Sequence, residues 1–141
     1  MKSTKVIKDY ANWLDKEKWN FFCTFTTPYP MSLPSARRTM EKLQNSLTTE
    51  ATKSKIFWAA EPFDSKESYH VHALIKLQDM NNASTARKMA FIKNSWQRVS
   101  KGRYGTANKF TLVDPYIKGK GAHYYTAKYL TQENVDYDIF G

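Results

Sequence analysis

Apolar positions recur along this chain with two different periods, and the switches between them mark out its elements. In STKVIKDYANWLDKEK, Val6/Ile7, Tyr10 and Trp13/Leu14 fall on one face at helical spacing, so residues 1–17 are expected to carry a short amphipathic helix. KWNFFCTFTT follows, dense in aromatic and β-branched residues and closed by Pro28, which is the profile of a buried strand. The prolines between Tyr29 and Ser35 mark a loop. Pro34 suits the first turn of a helix that carries Met40, Leu43 and Leu47 inward. SKIFWAAEPF and SYHVHALIKL are two strand-like runs parted by the polar DSKE, which suggests a hairpin. NNASTARKMAFIKNSWQRVSKG reads as a helix, with Asn and Ser as candidate caps and Gly102 beyond its end. KFTLVDPY is a further strand, IKGKG a basic turn, and AHYYTAKYLTQ a last helix. After the N-terminal helix the order is β-α-β-β-α-β-α. That order predicts an α+β domain with helices against a mainly antiparallel sheet.

Composition narrows the class. The 141 residues are expected to form one domain, large enough to bury a core without disulfides or structural metal. With 41% hydrophobic and 15% aromatic residues, extensive disorder is excluded. The 22 Lys+Arg against 13 Asp+Glu leave a net charge of +9 and a pI near 9.6. Such a field favours polyanions, a nucleic acid or an anionic membrane face, although a basic protein need not bind either. The lone cysteine, Cys23, lies inside FFCTF and reads as core rather than nucleophile; it rules out an internal disulfide and fits an intracellular protein. The Lys-rich start lacks the apolar block of a secretion signal, and no run is long enough to span a membrane.

Candidate chemistry begins with HVH in the second hairpin strand. On a strand, His70 and His72 project to the same side, about 7 Å apart, while Val71 and Ala73 point to the core. Two imidazoles on an exposed sheet face suit a divalent ion, though a solvated pair of histidines has the same spacing. If the hairpin pivots between Ser65 and Lys66, Glu61 lies across from His70. Cross-strand Cβ atoms are then about 5 Å apart, with His72 on the diagonal. That makes a three-ligand set with open positions. Nitrogen and carboxylate donors without thiolates suit Mg²⁺ or Mn²⁺ better than structural zinc. The alternative is a Glu61–lysine cross-strand ion pair, should Pro62 shift the register.

The last helix adds a nucleophile. Tyr125 and Lys128 are one turn apart and share a face, as do Tyr125 and Tyr129. A phenol with a pKa near 10 needs help to attack, which a metal and a neighbouring ammonium can give. The plainer reading packs these tyrosines onto the sheet and leaves Lys128 in solvent.

Taken together, these motifs resemble one family. HVH matches the H-U-H motif (U apolar) of the rolling-circle replication initiators, or Rep endonucleases, of single-stranded DNA viruses, phages and plasmids. Tyr125-Thr-Ala-Lys128 matches their Y-x-x-K motif, and FFCTFTT resembles their first apolar motif. Glu61, nine residues before His70, stands where the viral members commonly carry a third metal ligand. The resemblance spans residues 19–132. It implies a ferredoxin-like or RRM-like five-stranded sheet and a Mg²⁺- or Mn²⁺-dependent nickase. Tyr125 would attack a phosphate of single-stranded origin DNA, either linear or folded as a hairpin, keep a 5′-phosphotyrosine link and release a 3′-OH. A reverse attack would rejoin the strand. Glu61, His70 and His72 would hold the ion, and Lys128 would position the phosphate or the metal's water. A replicative helicase and polymerase are implied as further partners. The implied compartment is the host cytoplasm for a phage, plasmid or archaeal virus and the host nucleus for a eukaryotic virus.

The chain departs from that pattern in places. Tyr129 gives Y-x-x-K-Y, as in two-tyrosine phage initiators, and is a candidate second nucleophile, but Gln132 stands where a second lysine is usual. His123 precedes the catalytic turn and is assigned to DNA contact or capping. Residues 1–141 are expected to hold the endonuclease domain without a helicase domain, as a stand-alone endonuclease or as an excised N-terminal domain. Basic residues around RKMAFIKNSWQRVSKGRYG and YIKGKG, including Arg103, Lys118 and Lys120, are candidates for phosphate contacts. Trp96 or Tyr104 could stack on bases, but Trp96 shares an apolar side with Met89 and Val99, which favours core. Two rival readings stand beside this one. A non-catalytic single-strand RNA or DNA binder would stack bases on the sheet, although the glycine-aromatic RNP signature is missing. A single-stranded DNA tyrosine transposase would also pair H-U-H with a helical tyrosine, and Lys128 argues against it.

Overall fold

A computed structural model of the protein describes residues 4–27, 29–48, 53–62, 68–78, 80, 82–100, 111–118 and 136–141. The elements are α1 (Thr4–Asp15), β1 (Phe21–Phe25), α2 (Leu33–Leu47), β2 (Ser54–Pro62), β3 (Tyr69–Leu77), α3 (Thr85–Ser100), β4 (Leu112–Pro115) and β5 (Asp136–Phe140). The strands form one five-stranded antiparallel sheet in the order β4-β1-β3-β2-β5. From β1 to β4 the succession is β-α-β-β-α-β, so the α+β arrangement expected from the pattern is observed, and it is consistent with the ferredoxin-like or RRM-like sheet that the resemblance implied. The helix expected over AHYYTAKYLTQ lies outside the described residues.

Alternation along the strands divides the sheet into two faces. Phe21, Cys23 and Phe25 of β1, Ile56, Trp58 and Ala60 of β2, and Val71, Ala73 and Ile75 of β3 are buried together against α2 and α3. Helix α2 brings Met40, Leu43 and Leu47, each fully buried, as its spacing predicts. Ser32 caps it by accepting from the Ser35 N–H at 3.2 Å, with proline in the first turn. Ser84 does the same for α3 through the Arg87 N–H at 3.1 Å. Trp96 proves to be core: its ring stacks on Phe25 at 4.4 Å between centroids, and its Nε1–H donates to Thr26 O. Cys23 is wholly buried. Burial, with Asp114 adding to it, pushes its thiol well above the usual range, so it stays a protonated core residue.

Helix α1 covers part of the opposite face. Ala11 and Leu14 of α1 close, with Trp19, over Phe57 and Leu74, and Phe22 and Ile139 pack beside them. Trp13 is a correction to the expected helix face, since it is 46% exposed while its neighbour Leu14 is fully buried. Consecutive residues on a helix are rotated by about 100°, and the inward stripe runs through Ala11 and Leu14 instead. The side chains of Val6, Ile7 and Tyr10 lie outside the description.

Strand β5 is an element the sequence pattern did not announce. Arg37 of α2 holds it in place. The guanidinium forks onto Asp136 through Nε and Nη2, both at 2.8 Å, reaches Asp138 through Nη1 at 2.7 Å, and lies 5.3 Å from the centre of the Trp58 ring. The hydrogen bond from Arg37 holds the Asp138 carboxyl below its ordinary range, against the opposing pull of burial. A carboxyl whose folded pKa is depressed contributes stability above its unfolded value, near 3.9, and loses it as the pH falls through the folded value. Replacing Arg37 by Gln should therefore cost about 1 kcal/mol at neutral pH, the upper part of the range for partly exposed pairs. Thermal unfolding of both proteins should show a constant gap above about pH 5 that closes below about pH 4.

Candidate metal centre

The hairpin fixes the site. β2 and β3 pair in the register that sets Glu61 opposite His70 and Ala59 opposite His72, so Pro62 does not shift the ladder; it pairs with Tyr69 at the hairpin end. Residues directly opposed on neighbouring strands share a face. Glu61, His70 and His72 therefore project together, as the spacing implied. The structure brings all three into contact. Both Nε2 atoms converge on a single carboxylate oxygen, Glu61 Oε1: that of His72 lies 2.6 Å away, and that of His70 is also within hydrogen-bonding contact. The two rings meet edge to face, with centroids 4.9 Å apart and planes at 83°.

One expectation needs correcting. The histidine face is not openly exposed: His72 is 5% accessible, Glu61 8%, and the His70 side chain 14%. Its burial has a visible source along the same face. Leu74, two residues on from His72, lies under α1, and the Phe22 ring stands 5.9 Å from the His72 ring. The three ligands thus sit at the margin of the region that α1 covers. A recessed carboxylate next to two imidazoles is an electrostatically loaded arrangement, because burial strengthens the attraction of the acid for any cation between them.

The donor set fits a divalent ion. One ligand atom from each residue lies within 4.8 Å of the others, and among the described residues this is the one such group of His, Cys, Asp or Glu side chains. Two imidazole nitrogens and one carboxylate oxygen, carried on adjoining strands, are a donor set suited to a divalent ion. Glu61, His70 and His72 could therefore hold a metal ion. Identity among Mg²⁺, Mn²⁺ and similar ions is not encoded in these three donors.

Thr24, to which the sequence reading gave no part, also belongs to this site. It pairs with His72 across β1 and β3, and its Oγ1 lies 3.3 Å from His72 Nδ1. Its only sequence signal was alternation: in FFCTF, Phe22 and Thr24 occupy the face opposite to Phe21, Cys23 and Phe25. Placing that face beside the histidines needed the β1–β3 pairing, which no local pattern supplies.

Of the candidate DNA contacts, Lys118 is described, and the structure does not bring it to the ligands. It is exposed and follows Tyr116, whose N–H donates to Asn20 O just beyond the Phe21 end of β1. Thr24 and His72 are three residues further along, about 10 Å of strand. There Lys118 lines a hollow of about 280 Å³ with Asp15, Lys16, Glu17, Lys18, Trp19 and Tyr116. Tyr125, Lys128, Tyr129, His123, Lys120 and Arg103 lie outside the described residues. Among the described residues no helix is long and apolar enough to cross a membrane. Comparison with known protein families, with curated proteins and with solved structures finds no match to this chain.

Proposed function

We propose that this chain is a Rep-type H-U-H endonuclease that nicks and rejoins single-stranded DNA at a replication origin. The observation that carries the reading is the convergence of His70 Nε2 and His72 Nε2 on one Glu61 oxygen, on the central hairpin of a sheet of this topology. Glu61, His70 and His72 would hold Mg²⁺ or Mn²⁺. A divalent ion supplies Lewis-acid polarisation of a phosphodiester oxygen and draws charge off the phosphorus.

The remaining chemistry belongs to the chain. The Tyr125 oxygen forms a bond to phosphorus as the bond to the 3′ oxygen breaks. The phenolic proton is lost and the departing oxygen leaves as a 3′-OH, so a 5′-phosphotyrosine remains. Lys128, one helical turn away, stabilises the negative charge that builds up during the attack. Attack by a 3′-OH on the same phosphorus reverses the step. Lys118, Lys120, His123 and Arg103 are assigned to the DNA on either side of the cut, where a net charge of +9 favours the polyanion and makes binding fall with salt. The reading places the protein inside a cell, with origin DNA, helicase and polymerase as partners.

Incubation with an end-labelled, randomised single-stranded DNA pool and Mn²⁺ tests this. The expected result is a cut strand attached to the protein through denaturing electrophoresis, and none in the presence of chelator. A pool that is bound and shifted but left intact, with or without Mn²⁺, makes the protein a binder and ends the proposal.

A further inference from the structure

We infer that Thr24 is the positioning residue that lets His72 serve a cation, by keeping the buried Nδ1 atom hydrogen-bonded whichever ring nitrogen carries the proton. The inference rests on the metal-binding part of the proposed function. His72 is 5% exposed and is gripped at both ends of its ring: Nε2 faces Glu61 Oε1 at 2.6 Å, and Nδ1 faces Thr24 Oγ1 at 3.3 Å. With a carboxylate in front of Nε2, the neutral ring places its proton there, on Nε2, and donates it to Glu61. Nδ1 is then a lone pair, and the Thr24 hydroxyl donates to it.

Metal ligation reverses both roles. With a cation held through the Nε2 lone pair, that nitrogen would give up its proton and the ring would carry one on Nδ1 instead. No net proton is gained or lost by the imidazole; the proton changes nitrogens. Nδ1–H now needs an acceptor, and the same Thr24 oxygen provides it after the hydroxyl rotates. A hydroxyl both donates and accepts from one atom, whereas an amide nitrogen only donates and a carboxylate only accepts. Valine has the shape of threonine and can do neither. In a buried setting, an imidazole nitrogen left without a partner is costly in either tautomer.

β-sheet pairing gives this contact its rigidity. Thr24 and His72 are directly opposed across β1 and β3, with Ala59 opposed to His72 on the other side, so the imidazole stands between a hydroxyl and a methyl group. The small side chain of Ala59 leaves the ring no competing polar neighbour from β2 at that level. On the β1 side, the Thr24 hydroxyl therefore helps to orient His72 toward Glu61.

The test is Mn²⁺ affinity by titration calorimetry on the full chain and its Thr24→Val and Thr24→Ser variants, with the tautomer of His72 read by imidazole ¹⁵N NMR of the wild type with and without Zn²⁺. The expected Mn²⁺ result is a loss of about 10–100-fold in Thr24→Val, the usual effect of removing a ligand's hydrogen-bond partner, and affinity retained in Thr24→Ser. In the NMR arm His72 should carry its proton on Nε2 without Zn²⁺ and on Nδ1 with it. Equal Mn²⁺ affinity in Thr24→Val and wild type overturns the inference while leaving the metal centre standing. A His72 that keeps its proton on Nε2 with Zn²⁺ bound overturns the inference and also removes that nitrogen from the ligand set, a result independent of how well the valine variant folds. A wild type that binds neither ion overturns both.

Discussion

Removing the carboxylate of Glu61 should abolish metal binding and, with it, every metal-dependent activity of the protein. Both imidazole Nε2 atoms point at the same Glu61 oxygen, so the acid is the common element of the site and its anionic donor among the described residues. Mg²⁺ and Mn²⁺ are held chiefly by oxygen ligands and charge. Two neutral nitrogens alone are a poor site for such ions. Glu61→Gln keeps the shape and removes the charge. It should weaken Mn²⁺ binding by more than about 100-fold, beyond the effect of losing a partner one layer further out. Glu61→Ala should do so at least as strongly. Titration calorimetry measures both. The stability of the Gln variant should change little by comparison, because an amide oxygen can still accept from one histidine. Retention of Mn²⁺ affinity in Glu61→Gln would mean that the group is a buried hydrogen-bond cluster and nothing more.

The second large effect belongs to Tyr125. Phenylalanine at this position preserves the ring and removes the oxygen proposed to bond to phosphorus, so on that proposal the covalent adduct should fall below detection and strand cutting should drop by more than about 1000-fold. Mn²⁺ affinity and binding of uncut single-stranded DNA should stay near wild type, since neither uses the phenolic oxygen. Tyr129→Phe is the informative companion. If Tyr129 takes a second turn of the reaction, its loss leaves the first cut intact and blocks a subsequent transfer. If Tyr125→Phe still forms the adduct and Tyr129→Phe does not, the nucleophile has been assigned to the wrong tyrosine of the Y-x-x-K-Y run.

The candidate metal ligands were legible in the sequence because a hairpin is a local object. Counting outward from a pivot between Ser65 and Lys66 places Glu61 opposite His70, and that is the observed pair. Periodicity also placed the core side of α2, at Met40, Leu43 and Leu47, and put Trp96 in the interior. The misses share a cause, which is that they depend on contacts between distant segments. β5 reads as DYDIF, and two aspartates in five residues argue against a strand. They are tolerated because Arg37, about a hundred residues earlier, neutralises both from one side of the sheet. Thr24 looked like one more β-branched residue of a buried strand until β1 paired with β3. The histidine face was expected to be open, and α1, whose inward stripe runs through Ala11 and Leu14, closes over the neighbouring part of it.

These long-range contacts also bear on function. A site beside the α1-covered region keeps these side chains in a low-dielectric setting, and within the hairpin Pro62 and Tyr69 pair beyond Glu61 and His70. Strand-borne ligands are held more firmly than loop-borne ones, which suits an ion that must present open positions in fixed directions.

The most direct measurement is a crystal structure of the full chain grown with Mn²⁺, with data collected to reveal anomalous scattering from manganese. The account predicts one strong peak bounded by His70 Nε2, His72 Nε2 and a Glu61 oxygen, at about 2.0–2.3 Å from each, with the Thr24 oxygen still against His72 Nδ1. Saturating Mn²⁺ with no peak among those three side chains, and Glu61 still bridging the two histidines, would contradict it.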